Sequence, residues 1–260
     1  MQTPWRVYEG KRHSSSEAGD IVHDTMTIES PLFIDVNGEA FTMTMQTPGH
    51  ELELARGLMH TEGIVRSMEA SVRMHARTND STGLVDRVDI EMDPSQIQAA
   101  PWSKRQLLSV ASCGICGRTS MEELSGDLSS RVAEVLSSDV ERMLDAMKMN
   151  QPHFAKTGGC HAAAAFDREG RALEVMEDIG RHNAVDKVIG SLLMRQSLPQ
   201  AQRLMVSGRI SYEIVAKCFS AGIPELYSVS APSSLAIDFA KELGMRLYAY
   251  CREQRFTRYA

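Results

Sequence analysis

The sequence lacks any apolar run that approaches the roughly 18 residues needed to span a lipid bilayer. Residues 1–20 are polar and lack the apolar stretch of a secretion signal. We therefore predict a cytoplasmic protein without a membrane partner. The net charge of −6 argues against a nucleic-acid-binding protein, because such a protein presents a surplus of basic residues to the phosphate backbone.

Cysteine is scarce, with five residues in a chain of 260. A chain of this length can bury a hydrophobic core of its own, and an odd number of cysteines does not indicate a disulfide framework. Two of them stand close together in the sequence Ser112-Cys113-Gly114-Ile115-Cys116-Gly117-Arg118. In a reducing compartment a Cys-x-x-Cys segment is typical of metal binding, redox chemistry or sulfur transfer.

The residues alone leave these chemistries open, together with two inert thiols. A zinc site needs two further ligands, for which Cys160-His161 is the other concentrated pair, and the alanines after His161 do not match a zinc deaminase. A thioredoxin-type site opens a well-formed helix, whereas residues 119–126 predict a short one. The glycines after each cysteine and the charge of Arg118 suit an open loop that carries a thiolate. Sulfur or redox chemistry is therefore favoured over zinc.

The first part of the chain predicts hairpins and one helix. We predict a disordered lead-in over residues 1–20 and a small α+β part over residues 21–110. Two apolar runs joined by Asn37-Gly38 predict a hairpin, since Asn-Gly accepts the positive φ angles of a type I′ turn. Thr47-Pro48 predicts the start of a helix with Thr47 as its cap.

The second part alternates predicted strands and helices, which is typical of a mainly parallel sheet covered by helices. We expect the Cys-x-x-Cys loop and a connecting helix over residues 111–150 and an α/β domain over residues 151–260. Three polar loops, residues 177–183, 207–209 and 230–234, each follow a predicted strand and precede a predicted helix. Such loops meet at one edge of a parallel sheet, where free N–H groups with Arg181 or Arg209 suit phosphate or another anion. None of the three is a Walker loop or a Gly-x-Gly-x-x-Gly segment.

Some residues of this second part have simpler interpretations. Cys218 and Cys251 fall in helix and strand patterns and are predicted to be packing residues. Asp186 and Lys187 are interpreted as part of a solvated helix face. His161 is either a ligand contact or a core histidine with satisfied hydrogen bonds.

The motifs together resemble the FdhD family, whose members are sulfur carrier proteins required for formate dehydrogenase activity. The resemblance depends on Ser112–Gly117, Thr157–Ala162, Glu177–Lys187, Ser207–Arg209 and Ser230–Pro232, which stand in the order of that family, and on Pro31–Ile64, which is similar to its N-terminal part. It covers nearly everything after residue 20.

The resemblance implies a cytidine-deaminase-like three-layer α/β domain with a mixed, mainly parallel sheet, plus a smaller N-terminal α+β part rich in hairpins. It implies that Cys113 receives sulfur from a cysteine desulfurase as a persulfide, with Cys116 as the second thiol. The sulfur is then expected to reach the Mo-bis(molybdopterin guanine dinucleotide) cofactor, or its tungsten form, which serves a formate dehydrogenase. GDP is the expected analogue of this nucleotide ligand, and the protein is expected to be a homodimer.

The predicted cofactor-binding residues form two groups. The family places its cofactor at the stretch after the last strand, which here is Tyr250, Cys251, Arg252, Glu253, Gln254 and Arg255. The polar loops add Arg181, His182, Ser207, Gly208, Arg209 and Ser230. No structural metal is expected. The alternative function is a zinc-stabilised chaperone or binding module that holds the cofactor or the apo-formate dehydrogenase without sulfur chemistry.

Overall fold

The computed structural model describes residues 3–14, 17–65, 67–68, 72–97, 124, 126–129, 135–252 and 255–260. The strands in this part are β1 (Trp5–Ser14), β2 (Glu17–Thr27), β3 (Ser30–Val36), β4 (Glu39–Gln46), β5 (Val72–Thr78), β6 (Val85–Met92), β7 (His161–Phe166), β8 (Ala172–Asp178), β9 (Arg203–Val206), β10 (Glu225–Ser228), β11 (Arg246–Arg252) and β12 (Arg255–Arg258). The α-helices are α1 (Glu51–Thr61), α2 (Ser137–Met149), α3 (Pro152–Thr157), α4 (Arg181–Met194), α5 (Tyr212–Ser220) and α6 (Ser234–Glu242). Across the described ranges, no helix combines the length and apolar character needed to cross a bilayer.

Strands β1 and β2 form a two-stranded antiparallel ribbon in which Trp5 pairs with Thr27. The prediction of a disordered lead-in over residues 1–20 is therefore wrong for residues 5–14 and 17–20. This segment is too polar to show the alternation of apolar and polar residues that is typical of a half-buried strand. Its backbone groups are instead satisfied by pairing with β2, which the side-chain pattern does not reveal. At the base of the ribbon the Trp5 ring meets the ring of His153 edge-on, with centroids 5.5 Å apart.

The second sheet has four strands in the order β4-β3-β6-β5 and confirms the predicted hairpin. Asn37 and Gly38 join β3 to β4 with φ angles of 50° and 82°, as a type I′ turn requires. Alternate side chains of β3 are buried together with those of β6 and α1, so this sheet has its own apolar core. The predicted start of α1 is wrong, because the helix begins at Glu51 and Thr47 does not cap it.

The third sheet has six strands in the order β12-β11-β10-β9-β7-β8. Strands β9, β10 and β11 are parallel, whereas β7 runs antiparallel to β8 and β9, and β12 returns antiparallel to β11. A mixed sheet is confirmed, but the description "mainly parallel" is wrong, since antiparallel pairs outnumber parallel ones among the described strands. The reason is local: β7 with β8, and β11 with β12, are hairpins attached to a short parallel centre.

Both faces of the third sheet are covered, which explains the small apolar run of β7. Ala163 and Ala165 belong to the core beneath α4, α5 and α6, whereas Ala162 and Ala164 belong to the core beneath α2. Helix α2, which is the connecting helix expected before residue 150, buries Val140, Met143, Leu144 and Met147. The three layers of an α/β domain are therefore present, while the likeness to cytidine deaminases stays a prediction.

Helix α1 packs directly on helix α4 and so joins the N-terminal sheet to the α/β domain. A Cβ atom at Gly190 would lie 1.8 Å from the carbonyl oxygen of Glu53, and one at Gly57 would lie 1.9 Å from that of Asp186. Only glycine permits this backbone-to-backbone approach. The N-terminal part is thus packed firmly against α4, whose first turn borders the polar loops.

Candidate functional site

One edge of the six-stranded sheet collects the ends of four strands. Because β7 is antiparallel to both β8 and β9, strands β8, β9, β10 and β11 all point the same way. The three polar loops that follow β8, β9 and β10 therefore lie along one edge, next to His161 at the start of β7. We call this region the carboxyl edge. It is the arrangement in which open α/β sheets bind ligands.

Hydrogen bonds connect the loops of the carboxyl edge to one another. Ser207 Oγ accepts a hydrogen bond from the backbone N–H of Ala162 at 2.9 Å and lies 3.4 Å from His161 Nδ1. Ser228 Oγ donates to the carbonyl oxygen of Gly208 at 2.7 Å and accepts from the N–H of Ser230 at 2.8 Å. The predicted convergence of these segments is thus observed, whereas ligand binding by them stays a prediction.

Gly208 lies against two of the polar side chains at this edge. A Cβ atom at this position would be 3.2 Å from His161 Nδ1, closer than most side chains approach, and 3.4 Å from Arg181 Cδ. Gly208 is buried, so the absence of a side chain lets its backbone pack against His161 and Arg181. Arg209, the next residue, is exposed. The guanidinium groups of Arg181 and Arg209 would supply the donors for an anion here.

Arg181 is the first residue of α4, and its Nε atom is buried with no hydrogen-bond partner among the described residues. A buried guanidinium N–H without an acceptor costs free energy, which an anionic ligand oxygen would recover. His182 follows, with Nε2 3.4 Å from Ser211 Oγ. Both predicted residues therefore lie at the carboxyl edge, and Arg181 has unused donor capacity there.

A buried ion pair holds the loop that carries Arg181. Asp178 is fully buried at the end of β8, and its carboxylate lies 2.8 Å from Lys187 Nζ on α4. The carboxylate also accepts hydrogen bonds from the N–H of Gly180 at 2.7 Å and from Asn183 Nδ2 at 3.0 Å. The loop backbone is thus fixed between the strand and the helix.

The interpretation of Asp186 and Lys187 as a solvated helix face is wrong, because both are 1% exposed. Asp186 pairs with Lys217 of α5 at 2.9 Å, and Lys217 also binds Glu62. Although burial by itself lowers the pKa of Lys217, Asp186 and Glu62 raise it above the ordinary value, so this lysine is charged. In the sequence, charged residues in the middle of α4 suggest a helix face exposed to solvent. They are buried because α1 packs on this face, which the sequence pattern does not show.

The predicted cofactor-binding stretch lies at the far end of the carboxyl edge, but it does not follow the last strand, since Tyr250–Arg252 end β11 and Arg255 begins β12. Tyr250 donates its N–H to the carbonyl oxygen of Ser230 at 3.2 Å and has a φ angle of 54°. An open cleft of about 440 Å³ is lined by Tyr250, Arg252, Arg255, Phe256 and Thr257. Two arginines and a tyrosine ring around such a cleft suit a nucleotide with its phosphates.

The remaining members of that stretch are Cys251, Glu253 and Gln254. The side chain of Cys251 is fully buried in the core beneath α2, and burial raises the pKa of its thiol to about 12. This side chain faces the core and not the cleft, so its role as a packing residue, like that of Cys218, is confirmed. Binding of the cofactor at Cys251 stays a prediction that would involve its backbone. Glu253 and Gln254 lie outside the described residues.

Cys113 and Cys116 also lie outside the described residues. Of the described thiols, Cys160 directly precedes β7, and its Sγ atom is 3.5 Å from Thr27 Oγ1 and 3.9 Å from Thr47 Oγ1. Burial raises the pKa of this thiol, and the two hydroxyl groups offset that shift in part. Cys160 is thus protonated near neutral pH and is a weak nucleophile.

The two histidines of the carboxyl edge are neutral at neutral pH. Burial, followed by the charges of Lys217 and Arg181, lowers the pKa of His182 to about 3. Burial and Arg181 also lower the pKa of His161, against the opposing effect of Asp178. At neutral pH the positive charge of this edge therefore comes from the arginines, and both histidine rings can accept as well as donate hydrogen bonds.

Because His182 is protonated in the unfolded chain near its ordinary pKa of 6.5 but resists protonation when folded, acid should weaken the fold. This contribution to stability is complete above pH 6.5 and is lost as the pH falls towards 3. We expect His182 to remove up to about 2 kcal/mol of unfolding free energy between pH 7 and pH 5. Urea titrations at both pH values should show a smaller loss for His182→Gln than for the wild type. Equal losses for the two proteins would contradict a buried neutral His182.

The profile of the FdhD/NarQ family matches residues 27–260 of this chain. A curated protein of Mycolicibacterium paratuberculosis named sulfur carrier protein FdhD is 41% identical over 91% of this chain and 90% of its own length. Proteins of the same name from Streptomyces coelicolor and Anaeromyxobacter dehalogenans are 37% and 36% identical over 91% and 93% of this chain and 87% and 88% of their own lengths. The crystal structure of a candidate formate dehydrogenase accessory protein from Desulfotalea psychrophila has the same fold, with a TM-score of 0.78, 22% identity and coverage of 99% of this chain and 97% of that one.

Proposed function

The chain belongs to the FdhD/NarQ family, and we propose that it is a sulfur carrier that enables the activity of a formate dehydrogenase. The observation that carries this proposal is the 41% identity, over nearly the full length, to a protein named sulfur carrier protein FdhD. The predicted membership of this family is confirmed. The chemistry below is argued from the residues of this chain.

The sulfur step requires a thiolate, and Cys113 is the proposed acceptor. Its sulfur attacks the outer sulfur of a persulfide held by a cysteine desulfurase. A sulfur–sulfur bond forms at Cys113 while the bond between the two desulfurase sulfurs breaks, and the desulfurase cysteine leaves as a thiolate. The exchange needs no external oxidant. Arg118 favours the attacking thiolate, and Cys116 is the second thiol that helps to move the sulfur on.

The carboxyl edge is the proposed binding place of the sulfur acceptor, the bis-guanine-dinucleotide molybdenum or tungsten cofactor. Its phosphates suit Arg181 and Arg209, with Gly208 between the neighbouring segments, and its other end suits the cleft at Arg252 and Arg255. His182, Ser207 and Ser230 complete the polar lining. The metal is cargo of the reaction, and the protein residues bind and orient its nucleotide groups.

The partners follow from this proposed chemistry. A cysteine desulfurase supplies the sulfur, and a formate dehydrogenase receives the sulfurated cofactor. We further propose a cytoplasmic location, since the desulfurase, the reduced thiols and the cofactor all require a reducing compartment. The proposed homodimer depends on the resemblance to the family alone. GDP serves as the soluble probe for the nucleotide part of the ligand.

The test is sulfur loading of the purified, reduced protein. Incubation with a cysteine desulfurase and cysteine should add the mass of one sulfur atom to the intact chain, and peptide mass spectrometry should place it on Cys113. Dithiothreitol should remove it, as expected for a persulfide. An active desulfurase that adds no sulfur to this chain, combined with zinc bound by Cys113 and Cys116, would instead favour the zinc-stabilised binding module.

A further inference from the structure

Thr47 directly follows β4. Its N–H, hydroxyl and carbonyl groups each form a hydrogen bond with the loop or the helix that carries Arg181. Its N–H donates to Asp178 Oδ2 at 3.1 Å, and its hydroxyl oxygen accepts from the N–H of Ile179 at 3.0 Å. Its carbonyl oxygen accepts from Lys187 Nζ at 2.8 Å. Thr47 is 2% exposed, so these bonds form without competition from water.

The neighbouring residues of β4 extend the same attachment. Asn183 Nδ2 donates to the carbonyl oxygen of Met45 at 2.7 Å, and Thr44 Oγ1 lies 3.3 Å from Asn183 Oδ1. Asn183 also binds Asp178, which in turn accepts the N–H of Gly180. The end of β4 therefore contacts residues on both sides of Arg181 and His182. We call this set of hydrogen bonds the β4 anchor.

Helix α4 has no side-chain cap of its own at its first turn. Gly180 occupies the N-cap position, and it brings no side chain that could accept a hydrogen bond from the first turn. The direction of Arg181 thus depends on the backbone of Ile179 and Gly180. Thr47 fixes the N–H of Ile179, and Asp178 fixes that of Gly180.

We propose that Thr47, which directly follows the last residue of β4 in the N-terminal sheet, is a positioning residue for anion binding at the carboxyl edge of the α/β domain. Its hydroxyl group sets the backbone of Ile179 and Gly180 and thereby the direction of Arg181. The inference rests on the proposed function, in which Arg181 binds a nucleotide phosphate. On this proposal the end of β4 contributes to anion binding through the loop that carries Arg181.

Two variants of Thr47 distinguish a role in positioning Arg181 from a role in stabilising the fold alone. Thr47→Val keeps the shape of the side chain but removes the acceptor for Ile179, whereas Thr47→Ser keeps the hydroxyl group. GDP is the probe, with affinity measured by calorimetry on the full chain. We expect Thr47→Val to weaken GDP binding about tenfold and Thr47→Ser to stay within about twofold of the wild type.

Thr61→Val is the matched control, because Thr61 is also a buried threonine that bridges the two parts of the chain. Its hydroxyl group donates to Asp186 Oδ1 at 2.7 Å and accepts from Lys217 Nζ at 2.9 Å, and both partners lie outside residues 178–183. Thr61→Val should lower stability to urea by a similar amount while leaving GDP affinity unchanged. An equal loss of GDP affinity in Thr47→Val and Thr61→Val would overturn the positioning role.

Amide hydrogen exchange decides the proposal independently of GDP. In Thr47→Val the amides of Ile179 and Gly180 should exchange faster than in Thr47→Ser, while amides in α2 keep their protection. Unchanged exchange at Ile179 would overturn the inference. If the wild type itself fails to bind GDP, the proposed nucleotide ligand is wrong, and the exchange result alone decides whether Thr47 sets this loop. Thr47→Ala replaces Thr47→Val if the valine variant does not fold.

Discussion

Cys113→Ala should abolish sulfur loading by a cysteine desulfurase, lowering it by at least about a hundredfold, since alanine carries no thiolate that could attack the persulfide. Formate dehydrogenase matured in cells that contain only this variant should be inactive. The midpoint of thermal unfolding should stay close to that of the wild type, so that the loss is chemical and not structural. Mass spectrometry of the intact chain, with an active desulfurase, measures the first effect directly.

The matched control is Cys160→Ala, which removes the least buried of the described cysteines. Burial raises the pKa of the Cys160 thiol, so this residue should accept little sulfur by itself, and its alanine variant should load as the wild type does. Sulfur found on Cys160 in the Cys113→Ala protein, at wild-type level, would show that the acceptor has been assigned to the wrong cysteine. Equal loading of all three proteins at a site without cysteine would exclude persulfide chemistry.

The sequence predicts those elements of the fold whose signals are local. Asn37-Gly38 predicts the β3–β4 turn because few residues tolerate its positive φ angles, and the alternation of strands and helices after Thr157 predicts the α/β layers. The carboxyl edge follows from that alternation, since loops after strands of the same direction meet on one side. Arg181, Ser207 and Ser230 are found there for this reason.

The sequence does not predict what depends on contacts between distant segments. Thr47 has the residue type and the following proline of a helix cap, but its partners Asp178 and Lys187 are more than 130 residues away. The charges of Asp186 and Lys187 predict a helix face exposed to solvent. The packing of α1 on α4 through Gly57 and Gly190 buries this face, and no local sequence pattern indicates that contact. The β1–β2 ribbon is missed because backbone pairing holds two polar strands that bury no continuous apolar face.

Lys187→Met should be among the most destabilising single changes in the described part of this chain. Methionine keeps the length and the apolar stem of lysine but leaves the fully buried carboxylate of Asp178 without its cation. Removing one partner of a buried ion pair costs about 3–5 kcal/mol. Thr47, Gly180 and Asn183 still donate hydrogen bonds to Asp178, so we expect about 3 kcal/mol, measured as a loss of unfolding free energy in urea.

Arg171→Met provides the comparison, because Arg171 is 76% exposed and pairs with Asp167 on the surface. Such a pair is worth less than about 1 kcal/mol, since water and salt screen both charges. The double change Lys187→Met with Asp178→Asn should recover part of the loss, because it removes the unpaired charge, and a coupling of about 1–3 kcal/mol should remain in the cycle. If Lys187→Met costs no more than Arg171→Met, the charge of Asp178 is compensated without Lys187. The loop that carries Arg181 would then be held by the β4 anchor alone.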